Sequence, residues 1–368
     1  GSREEVEKKE IDELVALYVK FHEEAELHPE LNDEARVEFT KLEHHDEENI
    51  KLWRWFIDIS LREYKKTYDQ LGITFDSYKG ESFYYDKVPA VVEELREKGL
   101  LKHDDGAEIV DLEKYGMPPC LILKKDGSSI YPSRDIAAAI YRKKTYDFDK
   151  CIYVTSAGQS LHFAQWFKVV ELMGYDWAKD CVHVSFGMVS MEDMTFSTRK
   201  GNAVYLEDVL NASIEKTLEI IKQKSPNLEN KQEVARQVGV GALVFGVLYN
   251  GRIKDYTFSW EKSLNFDGET GPYAQYTYAR ACSVMRKADG FDAENIDFSV
   301  LSDEASAALL RAIDSLPGCI KQAAEKYEPY LISRAVIDIC SCFNKFYYDN
   351  RIMDDDTAVR RARLALTE

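Results

Sequence analysis

The chain has 368 residues, 45% of them hydrophobic, and a formal net charge of −17. That length supports more than one cored domain, and the composition excludes a disordered chain. No apolar run approaches the roughly 20 residues of a membrane-spanning helix, and the start, Gly1-Ser2-Arg3-Glu4-Glu5-Val6, has no apolar signal core. Seven cysteines without a CxxC pair or metal-ligand spacing imply reduced thiols, a cytoplasmic protein and no protein-bound metal. The acid is uneven: residues 1–50 carry 6 Lys/Arg against 17 Asp/Glu, whereas residues 271–368 carry 12 against 15. Overall charge therefore does not exclude a nucleic-acid partner, which needs only a local basic stripe.

Residues 3–70 read as helices, with Val6, Ile11, Leu14, Leu17 and Tyr18, and later Leu52, Trp53, Phe56, Ile59 and Tyr64, at helical spacing. The turn cluster His28–Asp33 divides them. Trp53, Trp55 and Phe56 fit either a helical core or a stacking platform for bases. From Gly72 to Phe186 strands and helices alternate. Residues 107–112, 119–124, 151–155 and 182–186 read as strands, Asp126-Gly127 as a hairpin-type turn, and 133–144 and 160–173 as helices. This alternation predicts a parallel sheet with crossover helices. Beyond Leu206 no strand is predicted. Amphipathic segments at 206–224, 230–250, 272–288, 303–326 and 328–351 predict an all-helical bundle, divided at Pro226, the loop 251–271, Asp289-Gly290 and Pro317.

Three stretches have the chemistry of a site. Phe196-Ser197-Thr198-Arg199-Lys200-Gly201-Asn202 joins hydroxyls and two cations in a turn, suited to charge on a leaving pyrophosphate. A basic turn before a helix is also ordinary by itself. Tyr131-Pro132-Ser133-Arg134-Asp135 places proline at the start of a helix and Asp135 in its first turn. That carboxylate suits a cationic ligand, and it equally offsets the helix dipole. Ser156-Ala157-Gly158-Gln159-Ser160-Leu161-His162-Phe163 lies between a strand and a helix, where small residues admit a ligand and Gln159 and His162 are displayed. Gly239-Val240-Gly241 with Gly246 has the wrong spacing for a dinucleotide loop and no preceding strand, so it reads as close helix packing.

In this order, and with Tyr115-Gly116-Met117-Pro118-Pro119-Cys120-Leu121 and Leu264-Asn265-Phe266-Asp267-Gly268-Glu269-Thr270-Gly271-Pro272-Tyr273, the motifs resemble the arginyl-tRNA synthetase family over nearly the whole chain. The resemblance implies an α/β, Rossmann-like class I catalytic domain, incomplete here, followed by an all-α anticodon-binding bundle. The implied boundaries are 1–75 for a helical insertion, 76–265 for the catalytic region and 266–368 for a DALR-type helical domain. It implies an arginine–tRNA ligase that uses ATP and Mg2+ to form arginyl-adenylate and transfers arginine to tRNA(Arg).

Carried over by residue, Ser197, Thr198, Arg199 and Lys200 match the KMSKS-type loop, here departing from its consensus. Tyr131, Asp135 and Gln159 fall at the contacts to the arginine side chain, and His162, Lys200 and Gly201 on the nucleotide side. Arg280, Tyr347 and Arg351 are candidate tRNA contacts. None of the seven histidines forms the family's His-x-Gly-His-type ATP element. The expectation is therefore a fragment inactive alone, lacking the part that carries this element and the extreme C-terminus. A non-catalytic tRNA-binding protein built from synthetase parts is the alternative. A monomer without membrane attachment is expected.

Overall fold

The computed structural model describes residues 2–191, 205–265, 268–288, 291–292 and 294–368. It divides into two compact units. A helical unit comprises Gly1–Thr74, Val189–Asn250 and Thr257–Glu368; an α/β unit comprises Phe75–Met188 and Gly251–Tyr256.

The helical unit starts with α1 (Arg3–Lys9), α2 (Ile11–Leu27), α3 (Glu30–Glu43) and α4 (Glu47–Leu71). Helix α3 begins inside the predicted turn cluster 28–33, immediately after Pro29. In this position proline costs no helical hydrogen bond. Trp55 of α4 lies beneath the Arg3 guanidinium, 5.0 Å from its ring centre.

The α/β unit contains α5 (Val88–Glu97), β1 (Leu101–Asp104), β2 (Ala107–Val110), β3 (Cys120–Leu123), α6 (Tyr131–Tyr146), β4 (Cys151–Ser156), α7 (Ser160–Leu172) and β5 (Cys181–Phe186). Strands β4 and β5 are parallel, in register from Cys151 opposite Cys181 to Ser156 opposite Phe186, with α7 as the crossover. The other three strands form an antiparallel meander instead of joining a parallel sheet. The reason is the link between β1 and β2. Asp105 and Gly106, at φ 45° and 84°, make a two-residue turn, and a parallel pair needs a far longer crossover. Sequence periodicity misses β1 because Lys102, His103 and Asp104 all face solvent. The loop at Asp126-Gly127 is wider than a tight hairpin: Lys124 N–H bonds the Ser128 carbonyl at 3.0 Å, and Leu123 pairs with Ser129.

Fully buried Leu95 of α5, Ile122 of β3, Ile136 and Ala139 of α6, and Trp166, Val169 and Val170 of α7 form the core of this unit. Burying such side chains is the main favourable term in folding. Gln165 of α7 donates to the Pro118 and Pro119 carbonyls at 2.9 and 3.1 Å, which holds the Gly-Met-Pro-Pro segment ahead of β3.

The remaining elements are β6 (Val189–Met191), α8 (Leu206–Lys224), α9 (Lys231–Leu248), β7 (Tyr256–Phe258), α10 (Trp260–Ser263), α11 (Gly271–Lys287), α12 (Glu304–Lys326), α13 (Tyr330–Asp349) and α14 (Thr357–Thr367), all in the helical unit except Tyr256 of β7. Strand β7, which pairs with β6, is not predicted by the sequence. Three residues are too few to establish a period. Helix α12 also runs through Pro317 rather than ending there. Pro317 is on the exposed side of the helix, so water can satisfy the carbonyl that loses its donor.

The glycines of α9 do pack helices closely. A Cβ on Gly239 would lie 3.0 Å from the Ile214 backbone of α8, and one on Gly271 would lie 2.9 Å from the Gly241 carbonyl. Leu309, Phe343, Phe346 and Leu364 form the core shared by α11 to α14. Among the described residues no helix is long and apolar enough to cross a membrane.

Trp166 has no exposed surface, so Trp166→Ala leaves a cavity at the centre of the α/β unit. Chemical denaturation of the variant is expected to show an unfolding free energy lower by about 3–5 kcal/mol. A loss below about 1 kcal/mol would contradict this placement.

Candidate functional site

The α/β unit contains a cavity of about 680 Å3 beside α6 and the C-terminal end of β4. One stripe of α6 forms a wall: Tyr131, Asp135, Ala138 and Arg142 recur at intervals of four, three and four and all line it. Proline at the helix start and the Ser133 hydroxyl fix the geometry of this end. Ser133 accepts from the Ile130 N–H at 3.2 Å and donates to the Ile130 carbonyl at 2.7 Å. From β4, Tyr153 and Thr155 face the cavity, and Gly158, Gln159, His162 and Phe163 close it from the start of α7.

Tyr131 is 63% exposed at the mouth and Ala138 is 3% exposed further in. At the C-terminal end of the stripe the half-buried Arg142 has its guanidinium 5.6 Å from the Tyr84 ring centre and 5.4 Å from that of Tyr153. Burial pushes the Tyr153 phenol well above its usual range, so it is neutral. Arg134 pairs with Glu81 at 2.7 Å, and Lys79 donates to the Tyr141 hydroxyl at 2.6 Å.

Asp135 and His162 meet at the mouth. The imidazole Nε2 lies 2.6 Å from Asp135 Oδ2. A second histidine is fixed nearby: His183 of β5 stacks on Phe163 at 4.3 Å and bonds the Thr155 hydroxyl through Nε2 at 2.8 Å. Its pKa is held below the ordinary 6.5, mainly by burial and further by Arg252 and His162, with the Thr155 bond opposing.

Tyr131, Asp135, Gln159 and His162, 31 positions apart at the extremes, thus line one cavity. Of the proposed tRNA contacts, Arg280 and Tyr347 meet, the guanidinium lying 5.1 Å from the Tyr347 ring centre and 4.9 Å from that of Tyr276. Arg280 also donates to Asn344. Arg351 instead pairs with Asp355 at 3.1 Å. Ser197, Thr198, Arg199, Lys200 and Gly201 lie outside the described residues. The sequence reading missed Tyr84, Ala138, Arg142, Tyr153 and Thr155. For α6 the signal was there, in the helical spacing that runs on from Tyr131 and Asp135 to Ala138 and Arg142. Among the described residues no group of three or more His, Cys, Asp or Glu is arranged to hold a metal.

Comparison with known proteins gives two family matches. "tRNA synthetases class I (R), catalytic domain" matches residues 2–260, and "DALR anticodon binding domain" matches residues 274–368. The chain is 59% identical over 366 residues to an arginine–tRNA ligase of Clostridioides difficile and 56% identical over 366 residues to one of Halothermothrix orenii. Each alignment covers 100% of this chain and 65% of the relative, so the chain spans about two-thirds of their length. The arginyl-tRNA synthetase structure from Plasmodium falciparum superposes with a TM-score of 0.78 at 26% identity, covering 93% of this chain and 59% of that one. The Thermus thermophilus arginyl-tRNA synthetase structure, at 22% identity, shares the fold with a TM-score of 0.75, covering 88% of this chain and 65% of its own.

The lowered pKa of His183 has a consequence for stability. The unfolded imidazole takes up a proton near 6.5, whereas the folded one resists until a lower pH. The α/β unit therefore keeps its full stability above 6.5 and loses some as pH falls through the folded value. Unfolding curves across this range are expected to show that loss, and His183→Gln should flatten it. An unchanged slope in the variant would contradict the assignment.

Proposed function

The chain belongs to the family of class I arginyl-tRNA synthetases, and on that premise we propose that it forms the arginine-binding and tRNA-binding portion of an arginine–tRNA ligase. The observation that carries this reading is the cavity that gathers Tyr131, Asp135 and Gln159. A guanidinium presents a rigid fork of donors, and the Asp135 carboxylate accepts them with a matching charge. Tyr131 and Gln159 supply the remaining polar contacts at the mouth.

In the proposed reaction an α-carboxylate oxygen of arginine attacks the α-phosphorus of ATP, which enters as its magnesium complex. Pyrophosphate leaves and arginyl-adenylate forms. A terminal ribose hydroxyl of tRNA(Arg) then attacks the activated carbonyl, and AMP leaves. Ser197, Thr198, Arg199 and Lys200 stabilise charge on the phosphates, with Lys200 and Gly201 next to the nucleotide. No side chain bonds covalently to the substrate in this scheme. The protein binds, orients and neutralises.

Residues 1–75 act as an insertion of the catalytic region, 76–265 as its C-terminal half and 266–368 as the tRNA-binding bundle. Arg280 and Tyr347 make a cation–aromatic pair on that bundle, a surface on which an unstacked base can lie, with Arg351 close by in sequence. The cytoplasm, where charged tRNA is consumed, is the proposed location, and a monomer the proposed state.

Aminoacylation by the intact gene product, with total tRNA and each amino acid separately, tests the reading. Charging with arginine alone is expected. Bound tRNA without charging would make the protein a non-catalytic tRNA-binding module. Asp135→Asn should weaken arginine binding by about 1–3 kcal/mol, the loss of a charged hydrogen-bond partner. Unchanged affinity would reduce Asp135 to a helix-dipole residue.

A further inference from the structure

The Asp135 carboxylate is already engaged before any substrate arrives. Its Oδ2 meets His162 Nε2 at 2.6 Å, and among the described residues no other side chain is hydrogen-bonded to it. A carboxylate only accepts, so Nε2 is the ring nitrogen that bears the proton. The imidazole is held edge-on to Phe163, 5.3 Å between centres, and Phe163 is itself stacked on His183. His162 is thus fixed at the start of α7, pointing at the one anionic group of α6 that faces the cavity.

We infer that His162 is a positioning residue of the arginine subsite, whose imidazole orients Asp135 and whose protonation competes with the substrate guanidinium for it. This rests on the arginine reading of the cavity and moves His162 from the nucleotide side to the amino-acid side. A carboxylate offers about four lone-pair directions, so a neutral imidazole leaves room on Oδ1 and Oδ2 for a guanidinium fork. A protonated imidazole cancels the charge that attracts the guanidinium and sets a second cation against it.

The other charges around the cavity cannot take over this role. Lys79 and Arg142 remain cationic, and Arg134 is neutralised by Glu81. Tyr84, Tyr131 and Tyr153 also line the cavity, and burial keeps the Tyr153 phenol neutral. His183 is the other imidazole nearby; it bonds Thr155, and burial opposes its protonation. Arginine and a proton on His162 therefore bind in opposition, and arginine binding releases that proton wherever it is present.

The test is calorimetric titration of the protein with L-arginine at about pH 8 and about pH 6. Wild-type affinity is expected to fall between them, by no more than the roughly ten-fold per pH unit that one linked proton allows. His162→Gln, which keeps a neutral donor for Asp135, should bind within about two-fold of wild type at the higher pH and lose most of the pH dependence. His162→Leu, which removes the donor, should bind more weakly at both.

A His162→Gln protein that keeps the wild-type slope would overturn the proposal. So would a slope that disappears in His183→Gln instead, or a loss of ATP affinity with arginine unaffected. Asp135→Asn distinguishes failure of the arginine subsite from failure of the His162 role. If it weakens arginine binding while His162→Gln keeps the slope, the arginine subsite stands and only the role of His162 falls. If neither change affects arginine, or wild type binds none at either pH, both fall.

Discussion

Helix α6 buries Ile136 and Ala139 completely, and Ile140 nearly so, against the rest of the α/β unit. Those contacts fix its rotation about its own axis. Once it is fixed, the stripe Tyr131, Asp135, Ala138 and Arg142 has one place to point, and this is the cavity. A small residue at the third position keeps the space open, where a larger side chain would fill it. The site is therefore a consequence of how α6 packs, and the apolar face sets the direction of the polar one.

The second element of the site depends on a different constraint. A parallel strand pair with a helical crossover brings the start of α7 to the end of β4, where small residues leave the backbone open. This places Gln159 and His162 across from Asp135. Polar groups from two helix beginnings then converge on one point, where helix dipoles favour a negative group. Asp135 is that group, and His162 gives it a fixed partner.

Much of this was readable from the residues, because proline before a helix, glycine after a strand and a first-turn acid each have a local physical meaning. The longer helices of the bundle were equally clear, since α8, α9, α11, α12 and α13 carry long amphipathic periods, with Thr270 capping α11 and Asp303 capping α12. What the residues did not disclose depended on contacts distant in sequence. β1 and β7 are short and lack alternation. Pro317 is tolerated because its side of α12 faces water. Arg142 and Tyr153 read as an ordinary charge and an ordinary strand residue until α6 and β4 are seen to share a cavity. The pairing of Asp135 with His162, 27 positions apart, is of the same kind.

The central claim is that this cavity receives the side chain of arginine, with its guanidinium on Asp135. A crystal structure of the protein soaked with L-arginine tests it most directly. The account predicts density for the ligand between α6 and the start of α7, its guanidinium within hydrogen-bond distance of the Asp135 carboxylate and its side chain also against Tyr131 and Gln159. Arginine bound elsewhere, or lying in the cavity with its guanidinium away from Asp135, would contradict it.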